Sequence, residues 1–147
     1  MADLGVLNRR WSFAHTVWVD DDDIELLADS GAVVVHNPES NMKIGAGTAP
    51  VPAMKARGVR LALGTDGAGT NDNLIMHESL SLAAKLHRPQ TANRADWLTA
   101  RDVLAMATAG GAAALLADDD IGAIEVGTRL PGWIDSALPG WGSKLYM

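Results

Sequence analysis

His15, His36 and Asp66 are the residues of this chain best suited to chemistry. Imidazole and carboxylate serve both as ligands for a divalent metal and as groups that accept or deliver a proton. The three lie in "FAHTVW", "VVVHNPES" and "GTDGAGTN", each at the end of a short apolar run. Singly, each has a plain structural use: a histidine at a strand end is commonly a hydrogen-bonded core residue, and an aspartate before glycine shapes turns. Brought to one rim, they would make a site. Two look-alikes do not belong with them. "HESLS" opens like the helical zinc motif, but Ser81 stands where the second histidine is required, so His77 reads as a surface or helix-packing residue. "HNPE" has the spacing of a His-x-x-Glu pair, but its proline works against stacking both side chains on one helix. Nor is "GTDGAGTND" a phosphate cradle. It lacks the Gly-Lys-Ser/Thr ending and the dinucleotide glycine spacing, and Asp66 would repel an anion.

The elements that must position these residues follow a strand-then-helix rhythm. "SFAHTVWV" (12–19) is short and rich in β-branched and aromatic residues, as strands are. Asp20 to Asp23 then favour a helix start, carboxylates being stabilised at the positive end of the helix dipole. Ile24, Leu27 and Ala28 supply the apolar stripe of that helix, and Gly31 its stop. The aspartates lack the glycine and terminal glutamate of a calcium loop, so a cap with a solvated face outweighs a cation site. "AVVVH" (32–36) reads as a buried parallel strand closed by an Asn-Pro breaker. After a loop, Thr48 is expected to cap a helix over "APVPAMKAR" that Gly58 stops, and "VRLALGTD" (59–66) forms the third strand. Amphipathic helices are expected over 74–87, closed by Pro89, and over 99–116, with Thr99 as cap and Gly110-Gly111 as its weak point. Three strand-helix units in succession predict a parallel sheet, and parallel sheets collect ligands at the carboxyl ends of their strands. His15, His36 with Asn37, and Asp66 all fall there.

Bulk properties narrow the function. In a chain of 147 residues, 48% of them hydrophobic, there is material for one globular domain. A net charge of −6 with scattered Lys and Arg offers no stripe for a nucleic-acid backbone, so nucleic acid is excluded as a partner. With no cysteine, disulfides and thiolate metal sites are ruled out, which suits a reducing cytoplasm. The first residues have no basic-then-apolar leader and no run is long enough to span a bilayer, so a soluble protein is expected.

"AHTVW", "HNPESNMKIGAGTAPV" and "GTDGAGTN", in that order, closely resemble the C-terminal half of the amidohydrolase superfamily barrel. The branch is that of atrazine and triazine chlorohydrolases, guanine and cytosine deaminases, and adenosylhomocysteine/methylthioadenosine deaminases, and the likeness runs from about Leu4 to Gly127. It implies an α/β fold: a partial TIM barrel carrying parallel strands six to eight over residues 1–120, with 121–147 entering a small β-domain and an atypical tail. It also implies a hydrolase of non-peptide carbon–nitrogen bonds that deaminates a purine, pyrimidine or triazine ring with one Zn²⁺ or Fe²⁺. By position, Asp66 resembles the aspartate of strand eight that ligates the metal and takes the water's proton. His15 resembles the strand-six histidine that contacts the attacking water or the substrate; His36, Ser40 and Asn41 match a strand-seven motif expected to shape a loop and line the substrate pocket.

The family's first-strand His-x-His and fifth-strand His-x-x-Glu are absent, and the four histidines present cannot replace them. The chain is therefore expected to be a fragment that holds no metal tightly by itself, is inactive alone, and needs the N-terminal half or copies of itself. "TRLPGWIDSALPGWGSKLYM" departs from the family pattern and suggests a truncated or frameshifted reading frame; Trp133 and Trp141 read as incidental exposed aromatics. The rival expectation is a non-catalytic open α/β module that binds a ligand or a partner at the same rim; a third is a chain with no stable fold.

Overall fold

The three apolar runs become strands, all shorter than their sequence patterns suggest. A computed structural model describes residues 5–129. In it β1 (Ser12–Ala14), β2 (Val33–His36) and β3 (Arg60–Leu63) form one parallel sheet in the order β1-β2-β3. Phe13 lies opposite Val34, and Val34 opposite Leu61. β1 stops where His15 and Thr16 take φ of 67° and 47°, a left-handed turn that no ladder accommodates. Beyond β3, Asp66 takes φ of 62° for the same effect. Strand patterns expected over 12–19 and 59–66 therefore contain the strand and the bend that aims the polar residue after it.

Helices cover the sheet as the rhythm requires. α1 (Asp21–Ser30) is opened by a reciprocal cap between Asp20 and Asp23 and closed by Gly31 at φ 68°, so the acidic run is a helix start. α1 and α3 (Val51–Ala56) bury Ile24, Leu27, Val34, Met54 and Val59 in one cluster. α4 (Met76–Leu86) and α5 (Ala100–Ala105) close a second around Leu63, Ala83, Leu98, Val103 and Met106. Each such large side chain is worth about 1.5–3 kcal/mol when fully buried.

Two local expectations are corrected. Residues 38–43, expected to be loop, form the short helix α2 (Pro38–Lys43), with Pro38 at its first turn, where a missing N–H costs nothing. His36 thus ends a strand while Glu39 begins a helix, and the two never stack. Thr48 caps nothing: α3 is entered through Pro50, without a side-chain cap.

The expected helix over 99–116 begins as predicted, with a reciprocal Thr99–Asp102 cap. It then passes through a π-helical turn at Met106–Gly110 before resuming as α6 (Gly111–Ala114). The turn ends where the helix backbone meets β3. Gly64 N–H bonds to the His36 carbonyl, so alternation directs Leu61 away from β2 and towards the open edge of β3. A Cβ on Gly110 would lie 2.1 Å from the Leu61 carbonyl oxygen, so only glycine allows this approach. Ala113 then reaches the opposite sheet face, against Val33 and Ala62. Residues 121–129 are turns with no strand among them, and 130–147, with Trp133 and Trp141, lie outside the described residues.

Candidate functional site

His15 and Asp66 meet at the carboxyl ends of β1 and β3. Their separation, His15 Nε2 to Asp66 Oδ2, is 3.6 Å. Both have left-handed backbones, a conformation costly to non-glycine residues and kept where surroundings enforce it. The enforcement comes from α2. Asn41 Oδ1 accepts from His15 Nδ1 at 2.7 Å. That bond engages Nδ1 and leaves Nε2 as the ring nitrogen that faces Asp66. Ser40 Oγ donates to Asp66 Oδ2 at 2.6 Å, and Thr70 Oγ1 donates to the same oxygen at 2.9 Å. The two hydroxyls, Ser40's first, hold the Asp66 carboxyl below the usual carboxylate range; the Gly67 N–H adds to them, while burial opposes and His15 contributes least. Asp66 Oδ1 has no side-chain donor among the described residues.

Of the five residues singled out in the sequence, four meet here: His15, Asp66, Ser40 and Asn41. Ser40 and Asn41 are buried beneath the pair and position it. His36 goes elsewhere. It shares a sheet face with Val34, which alternation turns towards the helices, and at 0% exposure it does not line the rim. Its ring lies 6.0 Å from that of His87, just past α4. Neither His36 nitrogen has a hydrogen-bond partner among the described residues; burial first, then His87, pushes its pKa down to about 3. Burial lowers His87 too, against the pull of Gln90. Sequence reasoning passed over Thr70, whose only signal is its place four residues after Asp66 within "GTDGAGT". His77 is exposed on α4, in keeping with the incomplete zinc motif.

An ionised carboxylate beside an imidazole nitrogen suits one side of a metal-and-water centre. The two residues fit as contributors: among the described residues, no group of three or more His, Asp or Glu could hold an ion.

The amidohydrolase family model matches residues 1–129. The chain belongs to the amidohydrolase family. It is 52% identical over 128 residues to a 5-methylthioadenosine/S-adenosylhomocysteine deaminase of Halobacterium salinarum, covering 87% of this chain and 29% of the relative. A 5'-deoxyadenosine deaminase of Methanosarcina mazei is 50% identical over 113 residues, 77% of this chain and 26% of that protein. Among solved structures, a zinc-bound adenosine deaminase from Xanthomonas campestris superposes with a TM-score of 0.81 at 38% identity. That match takes in 98% of this chain and 34% of the other. An atrazine chlorohydrolase from Arthrobacter aurescens complexed with zinc gives 0.79 at 33% identity, over 86% and 28%. This amidohydrolase chain therefore spans about 29% of the Halobacterium relative's length. The parallel sheet with its crossover helices is part of the amidohydrolase TIM barrel, and zinc in these neighbours supports a divalent metal for the family.

Proposed function

We propose that this chain supplies the strand-six to strand-eight wall of a metal-dependent aminohydrolase. The barrel portion is residues 1–120, and residues 121–147 lead from it into a small β-domain. The reaction is hydrolytic deamination of a purine, pyrimidine or triazine ring, in which water replaces the exocyclic amine and ammonia leaves. The likeness to deaminases of adenosine derivatives favours a purine nucleoside. One observation carries the reading: His15 Nε2 and Asp66 Oδ2 lie 3.6 Å apart on a shared rim, braced from below by adjacent residues of α2.

In this reading the chain's own groups have distinct tasks. Asp66, kept ionised by Ser40 and Thr70, would hold the metal through its carboxylate and accept the water's proton. His15 offers Nε2 to the water or to the ring substituent, while Asn41 orients its ring and Ser40 its partner. A bound Zn²⁺ or Fe²⁺ would supply polarisation of water towards a neutral-pH pKa. The remaining donors come from outside the described residues, from an N-terminal barrel segment or from copies of this chain; the cytoplasm suits a cysteine-free enzyme.

The test is reconstitution. Residues 1–147 are co-expressed with the part of the Halobacterium deaminase that they do not match, zinc is added, and ammonia release from 5-methylthioadenosine is followed. Turnover that disappears with Asp66→Asn supports the proposal. Stable assembly with bound zinc but no turnover on purine, pyrimidine or triazine substrates overturns it and leaves the non-catalytic binding module.

A further inference from the structure

α2 carries three consecutive polar residues, and two of them serve the rim: Asn41 holds His15, and Ser40 holds Asp66. The third, Glu39, turns away from both. Its Oε2 accepts from the Asn71 side-chain amide and, at 3.0 Å, from Ser79 Oγ on α4. Both donors are sealed from solvent, Asn71 at 3% and Ser79 at 0% exposure. Asn71 bonds through both ends of its side chain. While its amide donates to Glu39, its Oδ1 accepts from the backbone N–H of Asn73 at 3.3 Å and of Leu74 at 3.2 Å. Its own N–H bonds to Gly67 O at 2.9 Å, closing the segment that comes after Asp66. Thr70, the residue before it, is thereby held with its hydroxyl on Asp66 Oδ2.

We propose that Glu39 and Asn71 form a positioning pair that sets where the Asp66 carboxylate sits, by anchoring the 67–74 segment to α2. Resting on the reading of Asp66 as the functional carboxylate, the inference adds the device that aims it. Two hydroxyls converge on Oδ2, Ser40's from α2 and Thr70's from the segment after β3. Glu39 is adjacent to the first in sequence and grips the neighbour of the second. Oδ2 is thus clamped only while α2 and the segment keep their spacing, and the clamp leaves Oδ1 presented to a ligand. Charge-assisted bonds such as those to Glu39 are stronger than neutral ones, and outer partners of this kind tune the group they orient.

The experiment uses the full 147-residue chain, isotopically labelled, with the Asp66 ¹³Cγ resonance read at neutral pH. Thr70→Val removes one hydroxyl directly and sets the size of the change. Asn71→Asp, which places a carboxylate against Glu39, is expected to move the resonance in the same direction by most of that amount. Glu39→Gln combined with Asn71→Asp reverses donor and acceptor and is expected to return it to the wild-type position, a rescue that a merely stabilising contact does not predict. In the zinc-loaded reconstituted assembly, Asn71→Asp should also weaken zinc affinity about 10–100-fold. An Asp66 signal that stays put in folded Asn71→Asp, or does not return in the double variant, overturns the inference. If Asn71→Asp does not fold, Glu39→Gln alone decides by the same resonance: movement supports the pair and none overturns it. Failure of the wild-type assembly to turn over would count against the proposed function and leave this readout intact.

Discussion

At Asp66 and His15, backbone strain and side-chain bonding work together. A left-handed aspartate is stabilised when its carboxylate finds donors that an extended one would not reach, and Ser40 and Thr70 are those donors. Asp66→Asn in the reconstituted enzyme should lower kcat about 10²–10⁴-fold through loss of the proton acceptor, measured as ammonia release at saturating substrate. The buried histidines make a different prediction. His36 is neutral in the folded state with a pKa of about 3, below its unfolded value of 6.5, so unfolding takes up a proton between those limits. Stability is present in full above pH 6.5 and falls on acidification by about 1.4 kcal/mol per pH unit until about pH 3. His87 acts in the same sense, and Asp66, whose pKa is depressed, adds loss only as pH drops below the ordinary carboxylate range. Urea unfolding at a series of pH values should show a shallower acid slope for His36→Leu than for the wild type.

At the scale of elements, what could be read from the sequence depended on whether the signal was local. Caps and apolar runs are local, so α1 and α5 start at the acidic run and at Thr99, and all three strands lie within the segments that the apolar runs mark. The same holds for His15 and Asp66, which the parallel-sheet rule alone sends to one rim. Hidden features need a partner distant in sequence. Pro38 reads as a breaker until its residues are seen bridging β1, β3 and α4; His36 reads as a rim residue until alternation within β2 turns it inward. Thr70 and Glu39 have no meaning without each other's surroundings, and the π-helical turn lies where Gly110 meets β3, although the paired glycines did mark the weak point. Two substitutions test this division. Asp20→Ala should cost about 1 kcal/mol as a lost helix cap, with Asp22→Ala near zero, in chemical denaturation; equal effects would favour a shared cation over the cap. Gly110→Ala should cost about 1–3 kcal/mol, because its methyl would strike the Leu61 carbonyl and the helix must shift away from β3.

For the molecule as a whole, the two edges of the sheet are treated unequally. Gly110 brings helix backbone onto the β3 edge, whereas no strand among the described residues pairs with the outer side of β1. His15 N–H bonds to the Val35 carbonyl, so alternation directs Phe13 inward and leaves the Ser12 N–H and C=O and the Ala14 N–H facing outward, while the Ala14 carbonyl accepts from Thr16 N–H at 2.9 Å. An open parallel edge invites another strand. In a barrel the neighbouring strand occupies this edge, and the chain spans about 29% of its Halobacterium relative, so we expect an added strand, from a complementary segment or from a second copy, to pair there. These two occupants must compete. Sedimentation velocity of the isolated chain should show concentration-dependent association, and adding the N-terminal segment of the Halobacterium deaminase should suppress it while a hetero-complex forms. Ser12→Pro removes only an outward-facing N–H, so it should weaken both kinds of assembly and leave the Phe13–Val34 ladder in place. Association that survives Ser12→Pro and is indifferent to the added segment would move the interface off this edge, and with it the proposed route by which further donors would reach the His15–Asp66 rim.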